Sequence, residues 1–149
     1  HIFVTRNGIV RYKDADINFD LNSTWQLGDN TVGLIRAYDI FEHLQVPLFT
    51  MQEVYRVLAP GGYALIQVPS TDGRGAFQDP THVSFWNENS FLYYTNNHWA
   101  RYVTPHVRFQ VLYIETTPQD SYGVCWVKVH LLKLKGTRDD NKVPGIINI

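Results

Sequence analysis

Residues 32–70, VGLIRAYDIFEHLQVPLFTMQEVYRVLAPGGYALIQVPS, limit the possible folds more than any other part of this chain. VGLIRAY is short, β-branched and nearly continuous in apolar character, as a strand covered on both faces would be. An acidic turn with Asp39, Glu42 and His43 follows. From Leu48 the apolar positions change to helical spacing: Leu48, Met51, Val54, Tyr55 and Leu58. Pro47 suits the first helical turn, where its missing N–H costs nothing. Ala59-Pro60-Gly61-Gly62 stops the helix, because proline cannot extend it and glycine accepts a positive φ. Residues 63–68, YALIQV, form a second apolar strand. Strand, crossover helix and strand make a βαβ unit, and its two strands are expected to lie parallel.

DIFEHL followed by EVYRVLAPGGYALIQVP resembles the second half of a class I S-adenosylmethionine-dependent methyltransferase domain, and DPTHVSFWNENSF is also similar to members of that superfamily. The resemblance spans residues 16–95. It implies a Rossmann-like α/β fold of methyltransferase type, with a mostly parallel sheet and an antiparallel C-terminal hairpin. It also implies S-adenosylmethionine as cofactor and methyl transfer to an acceptor that the pattern does not identify. The alternative is a non-catalytic methyltransferase-like binding or assembly module that has lost the cofactor site.

Residues 1–14 read as a hairpin, because Asn7-Gly8 between two β-rich runs suits a tight turn with positive φ. The superfamily opens instead with a strand feeding a Gly-rich loop, and no such loop precedes residue 32. The domain, 1–149 with a core at 15–134 and a tail at 135–149, is therefore expected to be N-terminally incomplete. Residues 15–22 alternate polar and apolar and read as another strand of the sheet. The resemblance assigns Asp20 to the adenine amino group, the Leu21 N–H to a ring nitrogen with its side chain on the purine face, and Asn22 beside them. The other reading makes Asp20 and Asn22 turn formers. Tyr38 and Asp39 end a strand whose carboxyl end should face the ligand crevice, so they are expected to meet the cofactor's sugar or methionine part.

Glu42-His43 reads either as a proton-handling pair or as a structural turn, with Glu42 capping or paired to Arg56 and His43 packed under a loop. The loop 71–86 leaves the second strand at the ligand end. Gly73 and Gly75 are expected to give it mobility, and Asp79 with His82 forms a candidate acid–base pair. His82 is the first candidate for general base, then His43. The alternative is an Asx-Pro turn at Asp79 with His82 as a pillar of the loop. Asp39, His43, Asp79 and His82 lack dense ligand spacing, so no metal site is expected. Asn87 to Ser90 can cap a helix carrying Phe91, Leu92, Tyr93 and Tyr94, which cannot all share one face. Residues 107–116 and 124–134 form the terminal hairpin.

A net charge of −1 argues against a general nucleic-acid binder. No apolar run approaches the ~20 residues of a membrane span, and no signal-peptide pattern opens the chain. The single Cys125 excludes an internal disulfide and, with those observations, points to the cytoplasm. The expected partners are an acceptor substrate and, as a further candidate, a second copy of the chain.

Overall fold

The structure is a computed structural model, described here for residues 17–135. The expected hairpin at 1–14 and most of the tail lie outside the described residues. Among those described, four strands form one mixed sheet in the order β1-β2-β4-β3: β1 Val32–Tyr38, β2 Leu58–Pro69, β3 Phe109–Thr116 and β4 Trp126–Lys133. β1 pairs parallel with β2, and the helix α1, Pro47–Val57, connects them. That is the βαβ unit expected from residues 32–68. β4 runs antiparallel between β2 and β3, with Pro69 opposite Trp126 and Thr116 opposite Val127. The carboxyl ends of β1, β2 and β3 and the start of β4 therefore share one end of the sheet.

The core lies between α1 and the sheet. Met51, Val54 and Val57 of α1 meet Ile35, Ala64, Ile66, Val68, Val127, Val129 and Leu131, all buried in one cluster. The spacing of the helical residues places them on one stripe, and the strand residues alternate inward. Pro47 occupies the first helical turn as expected. The helix ends at Val57, and Leu58 is already extended, with φ −64° and ψ 134°. Proline disfavours helical backbone in the residue before it, so the break begins ahead of Pro60. Leu58 is therefore a buried residue of β2 and not of the helix. Gly61 adopts φ +78° where the register of β1 against β2 shifts.

Three further expectations change. β1 is covered on one face: Ile35 and Ala37 are buried, while Leu34 and Tyr38 on the other face are exposed. Residues 17–22 are not a strand, because Asp20 accepts from the Asn22 N–H and closes a turn. Gly73 and Gly75 serve close approach and not mobility: a Cβ on Gly75 would lie 2.6 Å from Val124 Cγ1, and one on Gly73 would lie 2.8 Å from the Gly123 carbonyl. The loop is pinned there, with Arg74 N–H donating to Gly123 O at 2.8 Å.

Asn87 and Ser90 form a capping box, and of the four bulky residues after it Phe91 and Tyr94 are buried while Leu92 and Tyr93 are half-buried. Burial pushes the Tyr94 hydroxyl up to about 12. No helix among the described residues is long and apolar enough to cross a membrane.

Candidate functional site

Asp39 marks the mouth of the site at the carboxyl end of β1. It holds φ +53°, a left-handed conformation that aspartate tolerates better than most residues. Three contacts keep it there. Its N–H donates to the Gln67 carbonyl at 2.8 Å, Oδ1 accepts from Trp126 Nε1 at 3.1 Å, and Oδ2 accepts from Gln67 Nε2 at 3.4 Å. Both side-chain donors are neutral, and they orient the carboxylate from β2 and β4. Tyr38 beside it is 38% exposed, with the Arg36 guanidinium 4.4 Å from its ring centroid.

The turn at residues 20–23 lies next to this mouth. Asn22 Oδ1 accepts from the Gln45 N–H, and Leu21 lines a small enclosed space with Ala37, Ile40 and Phe41. Asp20 is exposed and uses Oδ1 for the Asn22 N–H, which leaves its other oxygen able to accept from an amine. Leu21 is only 5% exposed, and its carbonyl accepts from Trp25 Nε1. Its side chain is therefore core and does not lie on a purine face, so only its backbone could serve a cofactor. Trp25 is buried as well. Asp20 and Asp39 offer carboxylate acceptors, the Leu21 backbone an N–H donor and Tyr38 a hydroxyl, groups of the chemistry that an adenosyl group with an amino-acid tail would need.

Opposite them, the loop 71–86 closes on the 3-10 turn Phe41–His43. Val83 and Ser84 N–H groups donate to the Glu42 carbonyl at 2.8 and 3.1 Å, and Ser84 Oγ donates to the Phe41 carbonyl at 2.8 Å. Asp79 forms the expected Asx-Pro turn, accepting at Oδ1 from the Thr81 N–H and hydroxyl at 2.9 and 2.7 Å. Those bonds hold its carboxyl below the usual range. The His43 and His82 side chains are only 5% and 6% exposed, and their rings meet edge-on at 4.9 Å. His82 therefore stands under the loop, with Nδ1 3.1 Å from the Ala76 carbonyl and Nε2 3.8 Å from Asp79 Oδ2. Glu42 is 2% exposed and faces both imidazoles. It does not pair with Arg56, which binds Glu53 and Asp29 instead. The sequence-derived set thus divides into two groups, Asp20, Asn22, Tyr38 and Asp39 on one side and His43, Asp79 and His82 with Glu42 on the other.

An open groove of about 440 Å³ lies beside the end of this loop, lined by Val46 and Leu48 at the start of α1 and by Phe85, Trp86, Tyr93 and Tyr94. Phe85 also stacks on the exposed Phe77 at 5.2 Å. Gln67, Thr81 and Trp126 were not singled out from sequence. Only the register of β4 against β2, with Trp126 opposite Pro69, brings the indole to Asp39.

The fold is that of a methyltransferase-type α/β domain. Residues 4–66 match the methyltransferase domain family. The structure is similar to a [4+2]-cyclase, SpnF, at 16% identity, with 80% of this chain and 56% of that one covered and a TM-score of 0.58. It is also similar to a SAM-dependent methyltransferase from Archaeoglobus fulgidus (14% identity, 78% and 66% covered, TM-score 0.58). A third similar structure is the 1,6-didemethyltoxoflavin-N1-methyltransferase of Burkholderia thailandensis with S-adenosylhomocysteine bound (13% identity, 80% and 50% covered, TM-score 0.55). No curated protein matches the chain. The resemblance to class I S-adenosylmethionine-dependent methyltransferases is borne out by the family match and by the fold, while the chain spans only about 56% of the first of these structures.

Proposed function

We propose that this chain forms part of an S-adenosylmethionine-dependent methyltransferase, with the cofactor against Asp20, Asn22, Tyr38 and Asp39. The observation that carries this reading is the pinned Asp39 carboxylate at the carboxyl end of a parallel β1–β2 pair, where open α/β sheets bind ligands. Asp39 would accept from ligand hydroxyls or an ammonium group, Asp20 from the adenine amine, and the Leu21 N–H would donate to the ring. Bound there, the cofactor supplies a methyl group on a sulfonium, already a good leaving system. The protein's part is then mainly alignment and exclusion of water.

The acceptor's apolar body would rest in the groove against Phe85 and Tyr93. An acceptor hydroxyl would need its proton removed, and the group of Asp79, His43 and His82 is the nearest set of bases. Burial and the inward-turned Nε2 atoms count against their acting as freely exposed bases in this arrangement. Fold alone does not fix chemistry, and the cyclase of similar structure carries a different reaction on it.

Calorimetry with S-adenosylmethionine tests the reading. Asp20→Ala should weaken binding by about 1.5–3 kcal/mol, the range for a hydrogen bond to a charged group. Binding by the parent chain that is unchanged in the variant would remove Asp20 from the site. Absence of binding, repeated with the full-length protein, would favour the assembly module.

A further inference from the structure

The two histidines under the loop have defined tautomers. Thr81 Oγ1 donates to Asp79 Oδ1 at 2.7 Å, so toward His43 Nδ1, 3.2 Å away, it can only accept. The Thr81 carbonyl, 3.1 Å from the same nitrogen, is also an acceptor. His43 therefore carries its proton on Nδ1. The Ala76 carbonyl, 3.1 Å from His82 Nδ1, fixes the second ring in the same way. Both Nε2 atoms then turn inward onto one carboxylate, at 3.8 and 4.0 Å from Glu42 Oε1. In the neutral tautomers this brings two nitrogen lone pairs and a carboxylate together, nearly out of contact with water. A cation among them removes the repulsion.

We propose that Glu42, His43 and His82 form a binding site for a divalent transition-metal ion of the zinc class, with Asp79 as a fourth ligand from the loop. One ligand atom from each of the first three residues lies within 4.8 Å of the others. A tetrahedral zinc site with bonds of about 2.0–2.1 Å has ligand edges near 3.4 Å, so a modest contraction closes the set. Asp79 Oδ2, 3.8 Å from His82 Nε2, stands on the outer side. The Nδ1–H···O=C bonds are the outer contacts that orient ligating imidazoles in metal sites. Two imidazoles with carboxylates select zinc-like ions over magnesium or calcium, which prefer oxygen alone. Such an ion would fasten the loop to the turn after β1 at the lip of the aromatic groove. The site depends on these side chains alone and stands whether or not methyl transfer occurs.

The test is zinc titration of the chelator-stripped full chain, in competition with a chromophoric chelator. One ion per chain is expected. His43→Gln and His82→Gln should each weaken binding by at least about 10–100-fold, the loss typical of removing even an outer-shell partner. Glu42→Gln should weaken it too, and His98→Gln, at an exposed histidine, should leave it unchanged. Affinity should fall with decreasing pH, because protons compete with the ion for the imidazoles. Should a cluster variant fail to fold, cobalt(II) absorption by the unaltered chain decides: strong visible bands of a four-coordinate site support the proposal, and weak six-coordinate bands overturn it. No stoichiometric zinc, or zinc lost in His98→Gln and kept in the cluster variants, would also overturn it.

Discussion

Leu58→Asp should leave the chain unfolded at room temperature, with no cooperative thermal transition by circular dichroism. Leu58 is completely buried at the start of β2, opposite Val32 of β1, and its carbonyl accepts from Lys133 Nζ at 2.7 Å. An aspartate there loses the roughly 1.5–3 kcal/mol of a buried leucine. It also places a carboxylate among apolar groups at a cost of several kcal/mol more. Lys133 is already engaged by Asn30, Tyr55 and Leu58 carbonyl or amide oxygens, and burial lowers its pKa. Rescue by this lysine would therefore break three existing bonds. The total is comparable with the whole stability of an ordinary domain, about 5–15 kcal/mol. A native-like melt in Leu58→Asp would mean that β2 is not packed as described.

Arg56→Met should cost about 3 kcal/mol in urea denaturation, an unusually large effect for a surface-reaching side chain. Its guanidinium forms a two-pronged bond to Glu53, at 2.7 and 2.8 Å, and also donates to Asp29 and to the Trp25 and Leu27 carbonyls. Glu53, 6% exposed, additionally accepts from the Trp25 N–H at 2.7 Å. One arginine therefore ties the irregular segment 25–29 to α1, and removing it strands a nearly buried carboxylate. The Arg56 bond, opposed by desolvation and helped by the Trp25 N–H, holds the Glu53 carboxyl below its usual value. A depressed carboxylate contributes stability above its unfolded pKa, about 4.3, and loses it as pH falls through the lower folded value. The parent should thus lose stability through that acid window, and Glu53→Gln should lack this part of the loss. Equal acid limbs in the two proteins would place Glu53 outside the network.

These anchors show what can and cannot be read along the chain. Periodicity sufficed for β1, α1 and β2, because the shift from a strand run to helical spacing and the Pro-Gly-Gly break lie within one local stretch. The Asx-Pro turn at Asp79 and the capping box at Asn87 were legible for the same reason: each is a bond between near neighbours. Leu58 was placed one element too early, because its apolar character suits either the last helical turn or the first strand position. Glu42 offers itself from sequence as one possible partner of Arg56, since local charge gives no view of the carbonyls of residues 25 and 27 folding back over α1. Asp39 and Trp126 lie 87 residues apart, and only strand order joins them. The convergence of Glu42, His43 and His82 likewise needs the loop clamped to the turn by Val83 and Ser84. The resemblance makes Leu21 a purine contact, whereas its side chain is buried and lines the small space beside Phe41.

The proposed cofactor position is at the carboxyl ends of β1 and β2. Its most direct test is a titration of the isotope-labelled chain with S-adenosylhomocysteine, followed by amide chemical shifts. The proposed arrangement predicts saturable changes concentrated at residues 20–22 and 38–40, and their loss in Asp39→Ala with the remaining spectrum preserved. Saturable changes at the opposite end of the sheet, around Gly61 and Gly62, would contradict it.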